Sequence, residues 1–289
     1  MQYTVVTPVK WFEDNGIKDY EIVMSNPWKG RKCYVFRDKD GKKFFLKWND
    51  TEDSYRAHLE QMEKEERIYR VLQTTDIAPK YQGGGMFITE CIEEGVTLRK
   101  KIKELLSQDD EDGIVRLVQE TLLKWKEFRI IMVEHDNLVT VSDSLKSFDN
   151  YLMSLMVSGP IETKWSLFMR YRNRVLLELF RWRYKNKVSK LTINQKREII
   201  HGDFHANNVV IDRSGKVFLL DFENAQTGIA DIELAYMVAQ LHNLLKVKCS
   251  IVKRIDSMLE EHELINDSSV FGSIMDIYDK AISWNPRFS

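Results

Sequence analysis

Cysteine is scarce in this chain. Its 289 residues include three, Cys33, Cys91 and Cys249. They are too few and too widely spaced for a disulfide framework or a zinc pattern, so a reducing, cytoplasmic setting is the expectation. Long apolar runs are missing too. None approaches the ~18 residues of a transmembrane helix, so no membrane span is expected. The opening stretch MQYTVVTPVKWFEDNG has no positive segment leading into an apolar one, and no signal peptide is read from it. Neither sign of charge is in excess. The formal net charge of −1 predicts neither nucleic-acid nor membrane binding. A G-x-x-x-x-G-K-[ST] motif is absent, which excludes a P-loop enzyme. Internal repeats and low-complexity linkers are absent as well.

The composition that remains, 43% hydrophobic and 30% charged, is that of a globular protein with a sizeable core in one large or two modest domains. The most informative stretch runs from Ile200 to Glu223, IIHGDFHANNVVIDRSGKVFLLDFE. Val209-Val210-Ile211 and Val217-Phe218-Leu219-Leu220 are short β-branched and apolar runs. Asp212-Arg213-Ser214-Gly215-Lys216 between them is a turn signal, so the stretch predicts a hairpin. Asp203 and Asn208 precede the first run and Asp221 follows the second. A hairpin can gather a carboxylate, an amide and a second carboxylate at one end. That is a hard-oxygen set suited to Mg²⁺ shared with phosphate oxygens.

This pattern follows the logic of the protein-kinase catalytic loop, H-R-D-L-x-x-x-N followed by D-F-G. The match is closer elsewhere. HGD-x-H-x-x-N with DFE, carried here by His201, Gly202, Asp203, His205, Asn208, Asp221 and Glu223, resembles the aminoglycoside phosphotransferase and choline kinase family. The resemblance implies an α+β, bilobal protein kinase-like fold. A small β-rich N-lobe would occupy residues 1–93 and a larger, mainly helical C-lobe residues 94–289. It implies an ATP-dependent, Mg²⁺-requiring transfer of the γ-phosphate to a hydroxyl of a small-molecule acceptor of the amino sugar, sugar or amino-alcohol class. The alternatives are a protein or saccharide-lipid kinase, or a nucleotide-binding pseudokinase acting through a partner. The intact Asp203, Asn208 and Asp221 favour an enzyme, and the residue after His201, which is not Arg, speaks against a phosphorylation-switched protein kinase. The oligomeric state is open.

Roles carried over from the resemblance follow residue by residue. Asp203 takes the acceptor proton, and Asn208 and Asp221 hold Mg²⁺. His205 approaches the γ-phosphate or makes a loop-stabilising hydrogen bond. His201 packs against Phe222 and the loop backbone. Glu223 is not expected as a direct metal ligand. Lys47, the one lysine in the apolar strand FFLKW, would contact the α and β phosphates, held by Glu65 on the following helix, with Glu66 as the alternative. Ser25 and Asn26 open the loop that would cover the phosphates. Backbone groups of Glu90, Cys91 and Ile92 would meet the adenine edge.

Several elements follow from pattern alone. Strands are read at Tyr20–Met24, Lys32–Arg37, Lys43–Trp48 and Met86–Ile92, and residues 1–20 are left unassigned. Residues 55–73 form a helix whose buried face carries Leu59, Met62, Tyr69 and Leu72. Residues 98–106 start another helix. Residues 114–128 are amphipathic, with Ile114, Leu117, Val118, Thr121, Leu122 and Trp125 on one side. The acidic stretch 108–113 reads as a solvated loop and helix N-terminal charge. Residues 145–195 are expected to hold two or more helices. Residues 161–200 carry eleven Lys or Arg against three Glu, a local charge of +8, interleaved with aromatics. They read as a solvated amphipathic helix or as a surface for an anionic acceptor or partner. Residues 256–279 carry seven acidic residues and no Lys or Arg. That suits a cationic acceptor or pairing with the basic segment. Asp231 is read as capping a helix over 232–245, with the structural acid of this motif left between Asp231 and Glu233.

Overall fold

The computed structural model describes residues 8–26, 31–49, 52–83, 87–139, 148–152 and 164–284. In chain order the elements are α1 (Pro8–Asp14), β1 (Tyr20–Asn26), β2 (Arg31–Arg37), β3 (Lys43–Asn49), α2 (Glu52–Val71), β4 (Phe87–Glu90), β5 (Val96–Thr97), α3 (Leu98–Ser107), α4 (Glu111–Met132), α5 (Lys164–Thr192), β6 (Glu198–Ile200), β7 (Val209–Ile211), β8 (Val217–Leu219), β9 (Gln226–Gly228), α6 (Ala230–Leu245), α7 (Cys249–Glu261) and α8 (Ser268–Trp284). Residues 148–152 are also helical. The strands form sheets in the orders β1-β2-β3-β4, β5-β7-β8 and β6-β9. The chain divides into two compact units, one of residues 1–96 and 210–223, the other of residues 97–209 and 224–289.

The first unit is built on the antiparallel β1-β2-β3-β4 sheet. Alternation in β3 sends Phe44, Leu46 and Trp48 to one face, where they join Tyr34, Phe36, Ile88 and Phe12 of α1 in a buried cluster. Burying a ring such as Phe12 contributes roughly 2 kcal/mol. The same period of two turns Lys47 to the opposite face. A slip of one residue would exchange the two sets, so the aromatic cluster fixes the lysine's direction. α2 presents buried Ile68 and Tyr69, with Leu72 buried just beyond its end and Met62 half-buried. The side chain of Leu59 lies outside the described residues. The turn between β7 and β8 forms as its residues dictate. Asp212 Oδ1 accepts from the amides of Ser214 at 2.8 Å and Lys216 at 2.9 Å. β8 is tied down by Leu219 N donating to Ile77 O at 2.7 Å.

The second unit is mainly helical. Thr97 caps α3 by accepting from Lys100 N. Asp110 caps α4 by accepting from Gly113 N at 2.8 Å, with Glu111 and Asp112 in the first turn. The acidic stretch is therefore helix-terminal charge. All six residues of the predicted face of α4 are buried. α6 is buried almost throughout and packs against α7 and α8. It starts at Ala230, one residue earlier than Asp231, and its N-cap Ile229 makes no side-chain cap bond. Asp231 therefore does not cap α6. It sits in the first turn and accepts from the amides of Asn266 at 2.9 Å and Asp267 at 3.0 Å. Among the described residues no helix is long and apolar enough to cross a membrane.

Candidate active site

In the first unit, Lys47 is buried at the end of a converging set of acids. Its Nζ donates to Glu65 Oε2 at 3.0 Å, Asp221 Oδ1 at 2.5 Å and Glu223 Oε2 at 3.0 Å. The ring of Phe87, directly across the ladder from Lys47, lies 5.7 Å from the ammonium. Glu65, three residues before Ile68 and four before Tyr69, shares their buried face. Glu66 turns outward and pairs with Arg70 at 2.7 Å. The choice between the two glutamates is thus settled by helix phase. Burial pushes the Glu65 carboxyl up to about 7, against the opposing pull of Lys47. Carboxylate oxygens of Glu65, Asp221 and Glu223 lie within 4.8 Å of one another. Asp221 holds a left-handed φ of 66°, and Glu223 follows in a short 3₁₀ turn. Glu223 is the residue that the sequence reading set aside. Its only local signal was an acid two positions after Asp221.

The remaining nucleotide candidates also lie in this unit. Ser25 and Asn26 close β1, paired in register with Lys32 and Arg31. Their side chains and residues 27–30 lie outside the described residues. The amides of Glu90 and Cys91 donate to Lys80 O at 2.8 Å and Lys43 O at 3.0 Å. The Glu90 carboxylate is held by Lys42 and Gln82. Glu90, Cys91 and Ile92 line a cavity of about 530 Å³ with Pro79, Lys216 and Phe218, and the Lys47 cluster is not part of its wall.

In the second unit, residues 201–208 form a loop between β6 and β7. Gly202 has φ +81°, and a Cβ built there would stand 1.9 Å from the carbonyl oxygen of Asn224. Only glycine fits that approach. Around it the loop is held by Glu233, which is fully buried. Oε1 accepts from Gly202 N at 2.6 Å and Tyr151 Oη at 2.8 Å, and Oε2 accepts from His201 N at 3.0 Å and Trp125 Nε1 at 2.7 Å. Burial raises the Glu233 carboxyl, opposed by these four donors. Glu233, not Asp231, is therefore the acid that holds the loop. Trp125 also stacks on Phe204 at 5.6 Å. The His201 ring packs beside Phe128 and Phe204, and its Nδ1 accepts from Asp203 N at 3.3 Å.

That scaffold presents Asp203, His205 and Asn208 together. The Asp203 side chain keeps about a third of its surface exposed. Asn208 Nδ2 donates to Asp203 O at 3.0 Å and Oδ2 at 3.3 Å, and the amide Oδ1 remains an acceptor. His205 Nε2 lies 3.6 Å from Asp203 Oδ1, while its Nδ1 accepts from Asn207 N at 3.1 Å.

The fold has close counterparts among solved structures. The aminoglycoside phosphotransferase APH(3'')-Id from Streptomyces rimosus is 14% identical, with a TM-score of 0.61 over 95% of this chain and 96% of that one. Spectinomycin phosphotransferase APH(9)-Ia, in complex with ADP and spectinomycin, is 13% identical, with a TM-score of 0.51 over 94% and 86%. A Plasmodium vivax ethanolamine kinase is 11% identical, with a TM-score of 0.51 over 94% and 75%. No curated protein matches the sequence. The profile of the phosphotransferase enzyme family matches residues 28–245, three quarters of the chain and every candidate residue above except Ser25 and Asn26. With the α+β architecture and the loop geometry in agreement, this chain belongs to the phosphotransferase enzyme family.

Proposed function

We propose that this chain transfers the γ-phosphoryl group of ATP to a hydroxyl of a small molecule, of the amino sugar, sugar or amino-alcohol class. The observation that carries the reading is Asp203. It is a partly exposed carboxylate, fixed by Asn208 on a loop whose backbone is clamped by a buried acid. Phosphoryl transfer asks a protein mainly for positioning and charge neutralisation. Asp203 orients the acceptor hydroxyl and takes its proton as the bond to phosphorus forms. His205 steadies the loop by accepting from Asn207 N and stands beside Asp203. Lys47 supports the α and β phosphates and is aimed by Glu65.

The donor set fits Mg²⁺. Asn208 Oδ1 and the Asp221 carboxylate are hard oxygens of the kind Mg²⁺ takes, and in the first unit Asp221 stands within 4.8 Å of the carboxylate oxygens of Glu65 and Glu223. When bound, Mg²⁺ neutralises phosphate charge. The engaged amides of Glu90 and Cys91 pass recognition of the adenine edge to their carbonyls and to the Ile92 amide. Ser25 and Asn26 are assigned to the phosphate-covering loop, and the setting is assigned as cytoplasmic.

The test is an ADP-release screen with ATP and Mg²⁺ against amino sugars, sugars and amino alcohols, run beside Asp203→Ala. Turnover with at least one acceptor is expected. The variant should lose it by roughly 10³-fold while ATP affinity stays within about twofold. A variant with near wild-type kcat removes Asp203 from the mechanism. MgATP binding without turnover on any acceptor makes the chain a nucleotide-binding module instead.

A further inference from the structure

The basic segment noted in the sequence is left over by this mechanism. Most of it is α5, which carries nine Lys or Arg and one Glu. Phe180 and Val188 of α5 are buried in the second unit. A different face of the same helix carries Val175, Leu179 and Trp182 at 44%, 54% and 82% exposure. They stand at i, i+4 and i+7, so they form one continuous stripe. Ile193, just beyond the helix end, is also exposed, at 77%. An indole this exposed is unusual on a globular surface, and here it is aligned with aliphatic neighbours. By helical spacing Arg183 and Lys190 flank the stripe on one side and Lys185, with Glu178 beside it, on the other, and all four are exposed.

An apolar stripe with a tryptophan, bordered by cations, has the make-up of a helix that lies in the plane of a bilayer surface. Its apolar side chains enter the headgroup boundary while Lys and Arg meet anionic headgroups. Other occupants fit less well. A second copy of α5 would bring like charges together. The acidic segment 256–279 of another copy offers charge complementarity, but no large hydrophobic side chain within it is exposed to receive the stripe. Nucleic acid would engage the cations and leave Val175 and Leu179 unused.

We propose that the exposed face of α5, centred on Leu179 and Trp182, docks this protein on the surface of an anionic lipid bilayer. The docking is independent of the phosphoryl-transfer reading and needs no membrane span.

The full chain is sedimented with vesicles of phosphatidylcholine alone and of phosphatidylcholine mixed with phosphatidylglycerol, at low and at physiological salt. Binding to the anionic vesicles only, weakening with salt, is expected. Two variants are compared, each checked for an unchanged thermal midpoint. Leu179→Ser with Trp182→Ser should weaken binding by at least about tenfold. Arg183→Glu with Lys185→Glu and Lys190→Glu should abolish it. Neither should alter MgATP affinity. Absence of binding, equal binding to neutral vesicles, or wild-type binding by both variants overturns the proposal. So does concentration-dependent self-association without lipid that the same variants abolish, which would assign the face to a second copy of the chain.

Discussion

Two buried ionic centres in this molecule are built in opposite senses. In the second unit four donors converge on one carboxylate, Glu233. In the first unit three carboxylates converge on one ammonium, Lys47. The Glu233 centre is closed. Each oxygen has two partners, all of them donors, and nothing further is required. The Lys47 centre gathers three acids, with the Lys64 ammonium acting on Glu223 and Glu65 from nearby, and one of the acids, Asp221, is partly exposed. A closed buried network fixes geometry, whereas one with a partly exposed acid can still admit a ligand. One centre holds the loop, and the other is the one proposed to meet the nucleotide.

The sharpest way to break this contrast is at Asp221. Asp221→Ala should lower MgATP affinity by at least ~100-fold and turnover by more. It should leave the thermal midpoint unchanged or raised, because it removes one of three mutually close carboxylates. Calorimetry with MgATP and a melting curve check both halves. Unchanged affinity would mean that Asp221 has no ligand role.

Glu233→Gln probes the closed centre and should do the reverse. The amide nitrogen would oppose at least one backbone or indole N–H, and only the Tyr151 hydroxyl could turn to accept from it. About 3 kcal/mol of stability should go, measured by urea unfolding, and kcat should fall while KM for ATP holds. A variant of wild-type stability would show that the clamp contributes little.

The third test uses pH. The Glu65 carboxyl lies at about 7, raised first by burial, against 4.5 for its ordinary value. Between those values the folded protein keeps a proton that the unfolded chain has released. Stability from this group is therefore present at low pH and is lost as pH rises toward 7, by up to about 3 kcal/mol. Unfolding free energies measured across that window should fall, and Glu65→Gln should flatten the slope. An unaltered slope in the variant would place its source elsewhere. The smallest effect is expected one residue away. Glu66→Gln, which loses an exposed pair with Arg70, should leave thermal midpoint and turnover at wild-type values.

These pairs also show what the sequence could and could not disclose. The β7–β8 hairpin was legible because its signals are local, with turn residues between two β-branched runs. The spacing of Asp203 and Asn208 was legible for the same reason. Glu65 and Glu66 were both admissible until the phase of α2 was set by which neighbours it buries. Asp231 looked like a cap because α6 was read as starting two residues late. The role of Glu233 was hidden more deeply. Its partners Trp125 and Tyr151 lie 108 and 82 residues away in the chain, and no local pattern announces a contact of that range. Glu223 was missed because position alone cannot tell a solvated acid from one turned onto a buried lysine.

The discontinuity of the first unit has a kinetic consequence. Residues 210–223 supply Phe222 against Tyr69 at 5.3 Å, the amide of Leu219 for Ile77 O, and Lys216 for Asp76. They also bring Asp221 and Glu223 to Lys47. During synthesis, all of residues 97–209 must emerge before this piece exists. Until then the four-stranded sheet stands with α2 uncovered where Tyr69 expects a ring, and with Glu65 as the only acid yet made of the three that meet Lys47. Such long-range closure slows folding and lengthens the exposure of unfinished apolar surface. A fragment ending near residue 96 should accordingly be prone to aggregate. Joined through a flexible linker to residues 210–223, the same fragment should recover solubility and a cooperative melt.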